Sequence, residues 1–454
     1  MKTYRFLSLF LAVVLTVLLL PPQQASALED FDAQARAALL IEANTGEVLY
    51  EKNAHRENYP ASVTKVMTAL LVFEAVDGGK LSLASPITAS ETAIALPKDA
   101  STAGIKAGET LTVEQLLYCL LLPSANEAAN ILAEAVDGSV EAFVAHMNRR
   151  AQELGCECTH FMNPHGLHNA EHYSSAWDIY LITAEALKHD RFLDICNTKY
   201  YEIPENEFSK KRTLYSTNYL ISNVRTFYYL YGAAQGIKTG YTPEAGYCLV
   251  SSAVRGSRRL ISVVLGCERV VEDDVTITKS FTETTRLFDY GFDNFSSKEI
   301  IHTDDFVCEV PVTLSSETNY VVAHPAQDVT RMMPNDLAVE DLTRDVTLYS
   351  ESVEAPIAAG DELGRMVISY GDTVYAELPL LALSDVSASW LLVAQRDVLA
   401  FLSQRWVKLT AIGVIALIVL LIVLFGILRS RSRRYGHRRR REYAHSGYRG
   451  RRRR

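Results

Sequence analysis

The apolar residues fall into periodic runs that switch between a period of two and a period near 3.6. Ala37–Ile41 and Glu47–Glu51 flank Asn44-Thr45-Gly46, which predicts a hairpin on one face of a sheet. Between Ser62 and Val76, the positions Val63, Val66, Met67, Leu70, Leu71 and Phe73 predict a buried helix closed by Gly78-Gly79. Thr112–Leu122 and Ala125–Ala135 read as two helices interrupted at Pro123, and Val140–Leu154 as a further amphipathic helix. Ile237–Thr239, Tyr247–Ala253 and Leu260–Leu265 have the β-branched content of strands, and Thr276–Tyr290 reads as a closing helix. Helices between an early hairpin and late strands predict an α+β fold, with helices packed on an antiparallel sheet.

From about Glu299 the texture changes. Short alternating runs at Phe306–Thr313, Tyr320–Val322, Val346–Tyr349, Met366–Tyr370 and Val374–Leu378 are separated by turn residues such as Gly360-Asp361 and Gly371-Asp372. They predict a small β-rich domain over residues 299–385, after a main domain over residues 28–298. Residues 386–408 form an amphipathic connector, and residues 409–428 are uncharged and apolar. As a helix, that stretch spans roughly 30 Å, one bilayer core.

Charge sharpens this picture. The net charge is -9, yet the tail 429–454 holds 13 arginines and one acid, leaving 32 basic against 53 acidic residues elsewhere. Arginines directly after an apolar span predict a single-pass membrane protein with a cytoplasmic tail and an extracytoplasmic body. At the other end, Lys2 and Arg5, an apolar run and Ala25-Ser26-Ala27 predict a signal peptide over residues 1–27. The tail lacks an interleaved aromatic platform, so no nucleic-acid partner is expected. Apolar content of 48% excludes disorder for most of the length. Seven cysteines are odd in number and too few for a disulfide scaffold; most read as small core residues.

Three short motifs carry candidate chemistry. Ser62-Val63-Thr64-Lys65 opens a helix and puts a hydroxyl and an amine at i and i+3, on one face. A lysine whose pKa is lowered in a partly dry site can take the proton of such a serine. Ser124-Ala125-Asn126 lies where two helices meet, offering Ser124 as a proton relay and Asn126 as an amide for a peptide carbonyl. Lys238-Thr239-Gly240 sits on an expected edge strand. There the ammonium adds positive potential, the threonine hydroxyl binds a carboxylate, and glycine leaves room for a peptide added as a strand. Singly, each motif is better explained by ordinary structure: an N-cap serine, a solvated lysine, a strand-edge lysine. Together, in chain order and 62 and 114 residues apart, they form a variant of the set shared by penicillin-binding proteins and class A β-lactamases.

The chain resembles the serine-type D-alanyl-D-alanine carboxypeptidases, the low-molecular-mass penicillin-binding proteins of bacteria. The likeness runs from about Ala33 to Leu383, through Pro60–Thr68, Asn163–Leu167, His172–Ala176, Gly236–Thr242 and Ala355–Gly364. It implies a serine β-lactamase-like transpeptidase domain followed by a small β domain. It also implies an acyl-enzyme on Ser62 with Lys65 as general base and Ser124 in the proton path. Asn126, Lys238, Thr239 and Gly240 would bind substrate, the Tyr241 backbone would join the oxyanion hole, and Arg255 would be a further carboxylate ligand. The implied substrate is a peptidoglycan stem peptide, with β-lactams as inhibitors and no cofactor. Two departures stand out: Ala125 replaces the usual glycine, with a methyl that could narrow the cleft, and Tyr241 stands where some relatives have histidine.

Two other functions compete. A class A-like β-lactamase needs a glutamate to activate the deacylating water, for which Glu157 and Glu171 are the available residues. A catalytically silent β-lactam or peptidoglycan receptor would signal through the single span. His165, His168, His172 and Glu171 suggest a metal cluster, but they lie in a Pro/Gly loop without metalloprotease spacing, so no metal is expected.

Overall fold

The computed structural model describes residues 31–443 apart from residue 225, with side chains as far as Ser430. The expected signal peptide lies outside the described residues. The chain forms two compact units: the first runs to Ile300 and includes Thr330–Asp341, and the second holds Ile301–Val329 and the residues from Leu342 onward.

The first unit is built on a five-stranded antiparallel sheet. Its strands are β1 (Ala37–Glu42), β2 (Val48–Lys52), β3 (Ala234–Thr242), β4 (Gly246–Arg255) and β5 (Arg258–Cys267). Their order is β2-β1-β5-β4-β3, which leaves β3 at an edge. Successive strand residues point to opposite faces, so neighbours separate into two cores. Leu39, Ile41, Val250, Ile261 and Val263 pack with the helices on one side. Leu40, Leu249, Leu260 and Val264 pack with Phe281, Leu287 and Phe288 on the other.

Most expected elements are present. Helix α1 (Lys65–Asp77) is buried on all sides from Lys65 to Phe73, as an apolar helix inside a cluster must be. A 3₁₀ turn over Ala61–Thr64 precedes it. Helix α2 (Val113–Leu121) starts on a Thr112/Gln115 capping box, and α3 (Asn126–Asp137) and α4 (Val140–Glu153) follow. Two helices are additional to those expected from the sequence: α5 (Ala176–Ala186), capped by Ser175, and α6 (Asp190–Cys196). The closing helix α7 begins at Lys279, later than expected, and runs to Asn294. The alternating Val275-Thr276-Ile277-Thr278 instead forms strand β7 (Val275–Thr278), paired with β6 (Arg269–Glu272).

The second unit is a six-stranded sheet of β8 (Cys308–Thr313), β9 (Tyr320–Pro325), β10 (Thr343–Leu348), β11 (Val353–Glu354), β12 (Glu362–Tyr370) and β13 (Thr373–Ala382). Their order is β10-β12-β13-β9-β8-β11, antiparallel except for β8 with β11. The connector forms helix α8 (Trp390–Ser403), with no buried residue, and α9 (Arg405–Tyr443) follows. Residues Arg405–Ser430 of α9 are long and apolar enough to cross a membrane.

Candidate active site

The edge strand β3 lies against the 3₁₀ turn that carries Ser62. A Cβ on Gly240 would fall 3.0 Å from the Pro60 carbonyl oxygen and 3.0 Å from the Ser62 backbone nitrogen. The glycine therefore admits the Ser62 backbone itself, rather than the peptide that the K-T-G motif alone suggests. Ala61, just before Ser62, has a left-handed backbone with φ 47°, a strain that surrounding contacts must hold. Three such contacts are present. The His172 Nε2–H donates to Thr64 Oγ1 (2.8 Å), and the Thr64 hydroxyl donates to the Ala61 carbonyl (2.8 Å). Gly166 packs so closely that a Cβ there would sit 1.9 Å from the same Ala61 oxygen.

The loop 163–172 thus braces the turn that carries Ser62, through Thr64 and the Ala61 carbonyl. His172 Nδ1 accepts from the Met162 N–H and His165 Nδ1 from the Leu167 N–H, so each ring nitrogen named has a structural use. Burial lowers both imidazoles to about 3, with the Lys65 charge adding to the effect at His165. Both rings are neutral at physiological pH.

Lys65 is fully buried at the start of α1. Its Nζ lies 3.0 Å from Ser62 Oγ, 2.7 Å from Asn126 Oδ1 and 2.6 Å from the His165 carbonyl oxygen. Burial, and then the nearby Lys238 charge, hold its pKa well below the usual lysine value, while Glu127 opposes them. Lys238 is also buried; its Nζ donates to the Thr239 carbonyl (2.9 Å), and burial lowers it to about 7. An amine with depressed basicity 3.0 Å from a half-buried serine hydroxyl has the geometry of a nucleophile and its base.

Ser62, Ser124, Thr239, Gly240 and Tyr241 line one cleft of about 400 Å³. Ser124 has a left-handed backbone (φ 67°), and its buried Oγ has no partner among the described residues. Asn126, itself buried, accepts from Lys65 through its side-chain carbonyl oxygen. The methyl of Ala125 does not narrow the cleft. It is fully buried in the helical core, with φ −60°, so no glycine is required there.

Arg255 is not a cleft residue. It donates to Asp293 (2.6 Å) and Asp289 (3.3 Å) and lies over Phe292. Among the described residues, an arginine that does line the cleft is Arg269, on β6, stacked 4.6 Å above the Tyr247 ring. Thr217, which shares a 2.6 Å hydrogen bond with Thr239, also lines it. Neither residue belongs to a motif that could have flagged it. Glu127, the acid after the middle motif, is buried. It accepts from the Thr102 hydroxyl (2.6 Å) and the Ala103 N–H (2.8 Å), fixing the segment next to Ser101 at the cleft wall. Glu157 and Glu171 are exposed and do not line the cleft.

Fold and site together define a serine acyl-transfer enzyme of the penicillin-binding type, with Ser62, the candidate nucleophile, just before a buried helix and beside an edge strand. The D-alanyl-D-alanine carboxypeptidase family profile matches residues 23–269, more than half of the chain, and the profile of the penicillin-binding protein 5 C-terminal domain matches residues 295–388. The chain belongs to the D-alanyl-D-alanine carboxypeptidase family. It is 34% identical to the Bacillus subtilis carboxypeptidase DacF, covering 78% of this chain and 86% of the relative. It is 32% identical to the Escherichia coli carboxypeptidase DacC, covering 78% and 84%. Penicillin-binding protein 5 from Haemophilus influenzae superposes with a TM-score of 0.62 at 27% identity, covering 80% of this chain and all of that one. The Francisella tularensis carboxypeptidase DacD superposes at 0.66 and 25% identity, covering 82% and 98%. The chain is accordingly a serine hydrolase with D-alanyl-D-alanine carboxypeptidase activity, and its C-terminal apolar helix fits membrane anchoring.

Proposed function

We propose that Ser62 attacks the carbonyl between the two terminal D-alanines of a peptidoglycan stem peptide while Lys65 takes its proton. The Ser62 and Tyr241 backbone N–H groups stabilise the oxyanion. The C–N bond breaks, the last D-alanine leaves with a proton passed through Ser124, and water then cleaves the ester on Ser62. Lys238 and Thr239 hold the terminal carboxylate, with Arg269 facing the same cleft, and the Asn126 amide holds a peptide carbonyl. A penicillin opens its ring on the same oxygen and stays attached.

The observation that carries this reading is the 3.0 Å approach of Lys65 to Ser62 in a site that depresses lysine basicity. The orphaned Ser124 hydroxyl supports the relay role, because a leaving amine supplies the partner it lacks. The domain bearing the cleft is extracytoplasmic and the arginine tail cytoplasmic, a topology supported by 13 arginines directly after the apolar helix. Mass spectrometry after penicillin treatment should find the adduct on Ser62. Ser62→Ala should lose both the adduct and D-alanine release; an adduct retained in that variant refutes the assignment.

A further inference from the structure

Beside the catalytic cleft, across a shared wall, is a second cavity of about 770 Å³. The wall is Tyr247, with Tyr241 stacked on it at 4.4 Å and Arg269 lying over the ring; all three line both spaces. The cavity opens where β3 ends, since Pro243 and Gly246 also line it. Its charged lining is Arg36, Lys52, Arg269 and Lys279 against one acid, Glu268. Lys52 is neutralised by Asp32 (2.7 Å) and Lys279 by Glu272 (2.7 Å). Arg36 and Arg269 have no carboxylate partner among the described residues.

Arg36 is held in place although it is exposed. Its aliphatic stem crosses Gly266 so tightly that a Cβ there would lie 2.6 Å from the Arg36 Cγ and Cδ. One guanidinium nitrogen donates to the Glu244 carbonyl (2.9 Å), in the turn that follows β3. A guanidinium fixed this way loses little rotamer freedom on taking up an anion.

We propose that this cavity is a specificity subsite for a carboxylate carried on the acyl side of the peptide substrate, with Arg36 as its principal ligand. The proposal rests on the reading given above. With the terminal carboxylate at Lys238–Thr239 and the scissile carbonyl at Tyr241, a peptide paired along β3 carries its upstream residues past Thr242, to the mouth of the cavity. A side chain there that ends in a carboxylate meets Arg36, and one that ends in a neutral amide does not.

The test uses two synthetic peptides ending in D-Ala-D-Ala that differ only in the preceding residue, with a side-chain carboxylate in one and a carboxamide in the other. The readout is kcat/KM for D-alanine release by the full chain in detergent. Wild type should favour the carboxylate by roughly fivefold, as expected for a partly exposed ion pair, and added salt should shrink the ratio. Arg36→Gln should bring the ratio towards one, and Glu268→Gln should raise it, a pair of opposite shifts that general loss of structure does not produce. Equal rates for the two peptides in wild type, or a ratio that Arg36→Gln leaves unchanged, overturn the subsite while Ser62 chemistry stands. No D-alanine release from either peptide overturns the catalytic reading and the subsite with it.

Discussion

Gly240→Ala probes the contact on which the catalytic geometry depends. The added Cβ would meet the Pro60 oxygen and the Ser62 nitrogen at 3.0 Å and the Ala61 Cβ at 3.1 Å. Favourable carbon contacts lie near 3.5–4.0 Å, so the strand and the nucleophile's turn must part by about 0.5 Å. Overpacking of this kind costs about 1–3 kcal/mol. Because a misplacement of about 1 Å costs on the order of 100-fold in rate, half of that predicts roughly a tenfold slower acylation. The assay is the second-order rate of labelling by a fluorescent penicillin, alongside the thermal midpoint of the same preparation. Gly166→Ala sets the scale. Its Cβ would lie 1.9 Å from a backbone oxygen at a glycine with φ +84°, which no shift of tenths of an ångström relieves, so it should lose more of both quantities. Wild-type acylation by Gly240→Ala, with or without a lower midpoint, would refute the argument that this strand sets the position of Ser62.

Three further outcomes are expected. Lys65→Ala should slow acylation by roughly 10²–10⁴ while substrate still binds; near-normal labelling in a stopped-flow measurement would count against Lys65 as base. Lys238 is about 7 in the folded state against an ordinary 10.5, so the unfolded chain holds more protons between those values and stability should rise with pH across that window. Denaturant titrations of Lys238→Met should show a flatter slope there. His165 and His172 titrate near 3 when folded against 6.5, so their contribution is present above about 6.5 and is lost as pH falls towards 3. His172→Gln should weaken this acid loss and, by releasing Thr64 and Ala61, also slow acylation at neutral pH.

The candidate catalytic groups were legible because each motif is short. Ser62 and Lys65 share one turn of chain, and Lys238, Thr239 and Gly240 are consecutive, so spacing places the members of each motif together, and it is the joint occurrence of the motifs that carries the signal. The hairpin at Asn44–Gly46, the buried helix α1 and the alternating strands of the second unit were equally open to reading, since periodicity reports which face is apolar. Periodicity says nothing about what a loop does. The segment 163–172 offered histidines in a cluster and so a metal alternative, yet its bonds reach Thr64 and Lys65, about 100 residues earlier in the chain.

Residue type and order along the chain therefore determined the α+β class, the candidate nucleophile and base, and the apolar C-terminal helix, because each shows in the local pattern of residues. Only the tertiary structure decided that Arg269 faces the cleft and that Arg255 does not, since that depends on the β6–β7 hairpin and on the carboxylates of α7. It also decided that Ala125 points into the core, that Gly240 makes room for Ser62, and that Thr217 joins Thr239. Each is a matter of the direction a side chain takes once distant segments have packed, and packing is set by the whole core rather than by any one stretch of residues.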